Sequence, residues 1–282
     1  MGDLVADLRR LGAEPLGNGS RGGGVTAVLE ARRAGRPYEL PRAVFFDCFG
    51  TLLAMETDDF IAAMGRLCER QGLACAGERL WDAWLAGWRA MEEDAGRDLS
   101  RLVDDGPEPP FRTYRQRWPE QFARAFGSLG LAGDPADATE FMVRTLRQVG
   151  PLGDALRVVR ALASRYLVGA LSNADEEFLL PPLERSGFLL HAVVSSENAR
   201  AYKPRRRIFR HAERVLGLAG EDLLYVGDHP LADLLGAAAA GWRTVWLNRD
   251  GRELPEDVPP PELVVRDLRD LLTGLGVSDD SA

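Results

Sequence analysis

Six short apolar runs punctuate the chain from residue 42 onward. Ala43-Val44-Phe45-Phe46 stops at Asp47, and Leu167-Val168-Gly169-Ala170-Leu171 stops at Ser172. Ala192-Val193-Val194 comes shortly before Lys203, and Leu223-Leu224-Tyr225-Val226 stops at Gly227-Asp228. Thr244-Val245-Trp246-Leu247 and Leu263-Val264-Val265 complete the set. Near-continuous apolar runs of this length are expected of strands covered on both faces. Between them the spacing becomes that of one helix face, as in Leu156, Val159 and Leu162, or Ile208, Ala212, Val215 and Leu216. Strands alternating with helices predict an α/β fold: a doubly wound, Rossmann-like parallel sheet.

Residues 55–150 interrupt that alternation with helical spacing alone. Phe60, Ile61, Met64, Leu67 and Cys68 make one face, and Trp81, Trp84, Leu85, Trp88 and Met91 make another. Asp134-Pro135 reads as a cap and first turn for a helix presenting Phe141, Met142, Leu146 and Val149. Pro119 is expected to break the stretch between Phe111 and Phe126. The expectation is an inserted subdomain of about four helices, with the tryptophans as its internal packing. The core then comprises residues 41–54 and 151–282. Residues 1–40, broken at Gly17-Asn18-Gly19-Ser20-Arg21-Gly22-Gly23-Gly24, read as a partly flexible N-terminal extension.

Composition narrows the class. The chain has 282 residues, 45% of them hydrophobic and 28% charged, as in an ordinary globular protein. A net charge of −8 argues against broad nucleic-acid binding. No apolar run reaches the roughly 18 residues of a membrane span and no signal-peptide pattern opens the chain, so no membrane partner and a cytoplasmic location are expected. Three cysteines without metal spacing suit a reducing compartment. The oligomeric state has no signature.

Of the 35 basic residues, Lys203 is the single lysine. A planar guanidinium cannot replace a compact ammonium aimed at one small anionic group, which makes this position a candidate for chemistry. Asp47, Ser172, Lys203 and the pair Asp228/Asp233 all lie at or just beyond strand ends, where doubly wound sheets bind ligands. A carboxylate, a hydroxyl, an ammonium and an acid pair are suited to attack on phosphorus. Two acids can hold Mg²⁺, the ammonium and hydroxyl can orient phosphoryl oxygens, and an ionised Asp47 can attack directly.

These residues fall into four ordered motifs. They are Phe46-Asp47-Cys48-Phe49-Gly50-Thr51-Leu52-Leu53, then Leu171-Ser172-Asn173, then Lys203-Pro204 with Ile208-Phe209, and then Gly227-Asp228-His229-Pro230-Leu231-Ala232-Asp233. Over residues 42–274 the chain resembles the haloacid dehalogenase superfamily, mostly Mg²⁺-dependent phosphatases that use an Asp nucleophile. The resemblance implies that the helical insert is a cap closing over the substrate. It implies that Asp47 is nucleophile and Mg²⁺ ligand, and that Ser172, Asn173, Lys203 and Thr51 bind phosphoryl oxygens. Asp228 and the Phe49 carbonyl become further Mg²⁺ ligands, Asp233 a further ligand or an anchor of the loop behind them, and the substrate a small phosphorylated metabolite. Arg112, Arg115 and Arg117 around Tyr114 offer a basic patch for a second anionic group.

Phe49 departs from the pattern, since superfamily phosphatases usually carry a second Asp there as general acid and base. Such help contributes about 10²–10⁴-fold. A phosphatase acting on good leaving groups, or finding its acid elsewhere with His229 as a nearby candidate, accommodates the loss. A 2-haloacid dehalogenase, with an aromatic residue at this position and no metal, also does so, but that subfamily lacks the Gly-Asp pair kept here as Gly227-Asp228. Phosphonate cleavage requires a second lysine, which is absent. A binding or regulatory protein on a weakened enzyme scaffold is the remaining alternative.

Overall fold

The computed structural model describes residues 40–93, 103 and 110–277. The expected N-terminal extension lies outside the described residues, apart from its last residue. The chain enters through β1 (Ala43–Phe46), whose four residues are all buried. It then forms α1 (Thr57–Gln71), α2 (Gly77–Glu93), α3 (Tyr114–Ser128) and α4 (Pro135–Arg147) before returning through α5 (Ala155–Ala163). The rest is β2 (Leu167–Ser172), α6 (Glu176–Ser186), β3 (Ala192–Ser195), α7 (Ser196–Ala199), α8 (Arg206–Leu216), β4 (Leu223–Gly227), a π-helical turn (Pro230–Leu235), α9 (Gly236–Ala239), β5 (Arg243–Leu247), β6 (Leu263–Val265) and α10 (Leu268–Leu275).

The strands form one parallel sheet in the order β3-β2-β1-β4-β5-β6. Alternation along β1 explains the layers, because neighbouring residues point to opposite faces. Val44 and Phe46 pack with Val158, Val159 and Leu162 of α5 and Leu271 of α10. Ala43 and Phe45 pack on the other side with Ile208, Phe209 and Ala212 of α8. The connection after β1 leads to β2 on one flank, and β4 later pairs on the other. The order therefore switches at β1, which leaves a crevice beyond its C-terminal end, where Asp47 follows.

Helices α1 to α4 share a core that includes Phe60, Met64, Trp81, Trp84, Phe122 and Met142, and it runs on into Phe178 and Leu179 of α6. The tryptophan stripe divides. Trp84 is interior, stacking on Trp81 at 5.3 Å, while Trp81 also lines the crevice. The side chains of Trp88 and Met91 lie outside the described part of α2.

One expectation fails. Pro119 lies inside α3, which runs unbroken from Tyr114 to Ser128. The proline sits early in the helix, so it removes one backbone bond, to the Arg115 carbonyl. Buried Trp118, Phe122 and Phe126 on the same helix, together with a capping box at Thr113 and Gln116, offset the loss. No helix among the described residues is long and apolar enough to cross a membrane.

Candidate active site

Asp47 is the first residue past β1, held in line by its N–H donating to the Val226 carbonyl at 2.9 Å. The chain then turns sharply, with the Cys48 carbonyl accepting from Thr51, Leu52 and Leu53. Gly50 sits at φ +86°, and a side chain there would also come within 3.2 Å of Asp228 Oδ2. The turn is tied from outside by Arg249, whose Nη1 donates to the Gly50 carbonyl at 2.6 Å.

Lys203 is the hub. Its Nζ donates to Asp47 Oδ1 at 2.7 Å, Asp233 Oδ1 at 2.6 Å and the Tyr225 hydroxyl at 2.9 Å. Those three acceptors use the three donors of an ammonium. Burial is the largest influence on this amine and disfavours its charge, but Asp233 and Asp47 together outweigh it and hold the pKa above the usual lysine value. Asn173 clamps the backbone beneath. Its Oδ1 accepts from Lys203 N at 2.6 Å and its Nδ2 donates to the Lys203 carbonyl at 3.1 Å. Ser172 Oγ donates to the same Asp47 oxygen at 3.2 Å.

The other two acids arrive from the end of β4. Asp233, on the π-helical turn, also accepts the His229 N–H at 2.9 Å. It fits only because residue 227 is glycine, since a Cβ there would lie 2.3 Å from Asp233 Oδ2. Asp228 accepts from Thr51 Oγ1 at 3.4 Å, and its carbonyl takes N–H groups from Trp246 at 3.2 Å and Arg252 at 2.8 Å. Oxygens of Asp47, Asp228 and Asp233 all lie within 4.8 Å of one another. Burial, then repulsion from Asp233 and Asp47, raises the Asp228 pKa to about 7 against the pull of Arg252 and Lys203. Burial likewise raises Asp47, with Lys203 opposing. Three carboxylates facing one ammonium are short of positive charge, and oxygen donors so crowded fit a hard divalent cation such as Mg²⁺.

The structure thus gathers Asp47, Ser172, Asn173, Lys203, Thr51, Asp228 and Asp233 around one crevice. Asn173 and Thr51 spend their polar atoms on the Lys203 backbone and on Asp228. Phe49 is buried in the turn, its ring 6.1 Å from Phe178. His229 Nδ1 accepts the Ala232 N–H at 3.2 Å and so caps the π-helical turn. The basic patch is not brought here. Arg112 pairs with Glu120, Arg115 with Glu140 and Glu177, and Arg117 lies over the Tyr202 ring.

Sequence reasoning missed Tyr225, which looked like one more apolar strand residue. Its hydroxyl donates to the Leu171 carbonyl at 2.7 Å while receiving Lys203. A phenol within an otherwise aliphatic strand was the available signal. It also gave no role to Arg249 and Arg252, which fasten the carbonyls of Gly50 and Asp228. Above these groups lies a cavity of about 410 Å³, lined by Asp47, Phe49, Lys203 and Asp228 below and by Phe60 and Trp81 of the insert.

Known hydrolases share this fold and parts of this sequence. The chain is 38% identical over 191 residues to glyceraldehyde 3-phosphate phosphatase of Methanopyrus kandleri, covering 64% of this chain and 78% of that protein. It is 27% identical over 238 residues to (S)-2-haloacid dehalogenase 4A of Burkholderia cepacia, covering 82% and 93%. Among solved structures, the magnesium-bound HAD-hydrolase YfnB of Bacillus subtilis superposes with a TM-score of 0.69 at 21% identity, over 85% of this chain and all of that one. Residues 41–241 match the family of haloacid dehalogenase-like hydrolases, and with that match over most of its length the chain belongs to that family of hydrolases.

Proposed function

We propose that this hydrolase is a Mg²⁺-dependent phosphohydrolase acting on a small phosphorylated metabolite, with Asp47 as nucleophile. The acid trio around Lys203 carries the reading. Release of halide from a 2-haloacid needs one attacking carboxylate and a cradle for the departing ion. Hydrolysis of the ester so formed can use one further carboxylate as base for water, but dehalogenation gives no reason to keep both Asp228 and Asp233 beside Asp47.

With Oδ1 of Asp47 held by Ser172 and Lys203, its other oxygen attacks phosphorus. A bond forms from that oxygen to phosphorus as the bond from phosphorus to the leaving oxygen breaks, and the leaving oxygen keeps the electron pair. Lys203 and Ser172 then face the phosphoryl oxygens and offset their charge. Water attacks the aspartyl-phosphate in the second step, which frees Asp47 and inorganic phosphate, with the proton passing to phosphate or solvent. Asp47, Asp228, Asp233 and the Phe49 carbonyl would hold Mg²⁺, which supplies positive charge for the phosphoryl oxygens. The helical insert, as a cap, shields the intermediate. Phe49 gives the leaving oxygen no proton, so substrates with stable leaving anions are favoured.

Phe49 and the likeness to a haloacid dehalogenase favour a second reading, dehalogenation. An activated aryl phosphate and (S)-2-chloropropionate, each assayed with Mg²⁺ and with EDTA, separate the two. Phosphate release that EDTA abolishes, without halide release, is expected. Metal-independent halide release overturns the proposal, and inactivity on both points to the binding-protein alternative.

A further inference from the structure

Lys203 reaches the site from a loop that also touches the insert. The loop leaves α7 at Arg200, which has φ +52°. That left-handed conformation is costly for a residue with a side chain and persists where its surroundings hold it. Part of what holds it belongs to the insert, because the Arg200 guanidinium lies 5.5 Å over the Phe111 ring. Tyr202 is held there more closely. Its hydroxyl donates to the Arg112 carbonyl at 2.8 Å, and its ring stacks on Phe111 at 5.2 Å. The same ring meets Tyr114 edge-on at 5.1 Å and is covered by the Arg117 guanidinium at 5.3 Å. Phe111 and Arg112 lead directly into α3, so Tyr202 is seated in the start of that helix.

We infer that Tyr202 is a positioning residue, which couples the seating of the insert to the placement of the Lys203 ammonium. The inference rests on the phosphohydrolase reading and deepens it. One planar peptide unit joins Tyr202 to Lys203, and the N–H of that unit is the one Asn173 Oδ1 accepts at 2.6 Å. A shift of Tyr202 therefore carries this hydrogen bond with it and tilts the base of the lysine side chain. At the far end the ammonium contacts Asp47, Asp233 and Tyr225 at 2.6 to 2.9 Å. A group so placed loses its effect over small distances, since misplacement by about 1 Å costs a reaction on the order of 10²-fold.

The test is a double-mutant cycle in the full chain, read as kcat and KM for 4-nitrophenyl phosphate with Mg²⁺. Tyr202→Phe removes the bond to the Arg112 carbonyl and is expected to lower kcat about 2- to 12-fold, with KM changed less than about twofold. Tyr202→Leu also removes the ring contacts, and a loss in kcat of about 5- to 150-fold is expected. In a Lys203→Ala background no ammonium is left to place, so the same change to leucine is expected to alter kcat less than about twofold. A residue that only supports the fold gives the same loss in both backgrounds. That result, or an unchanged kcat in both Tyr202 variants, overturns the inference, while phosphate release by wild type leaves the phosphohydrolase reading standing. Asp175 ties α3 to the core separately, so the leucine variant is expected to fold. If circular dichroism shows that it does not, Tyr202→Phe carries the cycle. Absence of phosphate release by wild type overturns both.

Discussion

At the scale of single residues, Lys203 is surrounded on three sides by acceptors between 2.6 and 2.9 Å away. A guanidinium entering that buried space must displace Asp47 or Asp233, so Lys203→Arg is expected to fail almost as badly as Lys203→Ala. The loss expected is about 10²–10³-fold in kcat, as for removal of one preorganised donor. An arginine variant that keeps most of its kcat/KM contradicts this assignment. Tyr225→Phe tests the support beneath. It leaves the Leu171 carbonyl without its hydroxyl donor and takes one acceptor from the ammonium, which is expected to destabilise the fold by about 1–3 kcal/mol in denaturant titration. Phe49→Asp addresses leaving-group chemistry. The rate gain is expected to rise with leaving-group pKa, up to about 10²–10⁴-fold. Loss of a buried ring beside Phe178 is expected to cost about 3–5 kcal/mol of stability. A plot of kcat against leaving-group pKa for both proteins decides it, and a flat wild-type dependence points to another proton donor, with His229 first to be mutated.

At the scale of elements, one side chain fastens the insert to the core. Asp175, just past β2, accepts the N–H groups of Tyr114 at 2.9 Å and Arg115 at 2.8 Å and so caps α3 from across the structure. Asp175→Ala is expected to cost about 0.5–2 kcal/mol, a fall in Tm of about 1–8 °C by calorimetry. An unchanged Tm means that the cap contributes nothing. This contact was invisible in the sequence, because 60 residues separate the partners and nothing local marks them. The strands were legible almost to the residue, because burial on both faces writes itself as an apolar run. Local spacing also placed Asp47, Ser172 and Asp228 at strand ends. Pro119 misled because propensity counts one lost backbone bond and cannot see Trp118, Phe122 and Phe126 packing around it. Arg112, Arg115 and Arg117 looked like a patch in one dimension, but the acidic partners of Arg112 and Arg115 come from three helices and Arg117 lies over the Tyr202 ring. Asn173 and Thr51 were read as facing phosphate, and only the folded loops show them turned to Lys203 and Asp228.

At the scale of the whole molecule, charge is distributed unevenly. The chain has 43 acidic residues against 35 basic ones, and three of the acids meet in one buried site with a single ammonium. Crowding of this kind works against the metal-free fold, so Asp228→Asn is expected to raise its Tm while reducing the rise that Mg²⁺ produces in wild type. Thermal scans with Mg²⁺ and with EDTA measure both, and a variant that gains as much from Mg²⁺ as wild type removes Asp228 from the ligand set. The single lysine has a practical consequence. Feeding the expressing cells ¹⁵N-lysine gives a protein whose spectrum contains one side-chain ammonium signal, with no assignment to make. That nitrogen touches the proposed nucleophile and its residue is 5% exposed, so its protons are expected to exchange slowly with water, and the same signal is expected to move when Mg²⁺ or a phosphate analogue enters the site.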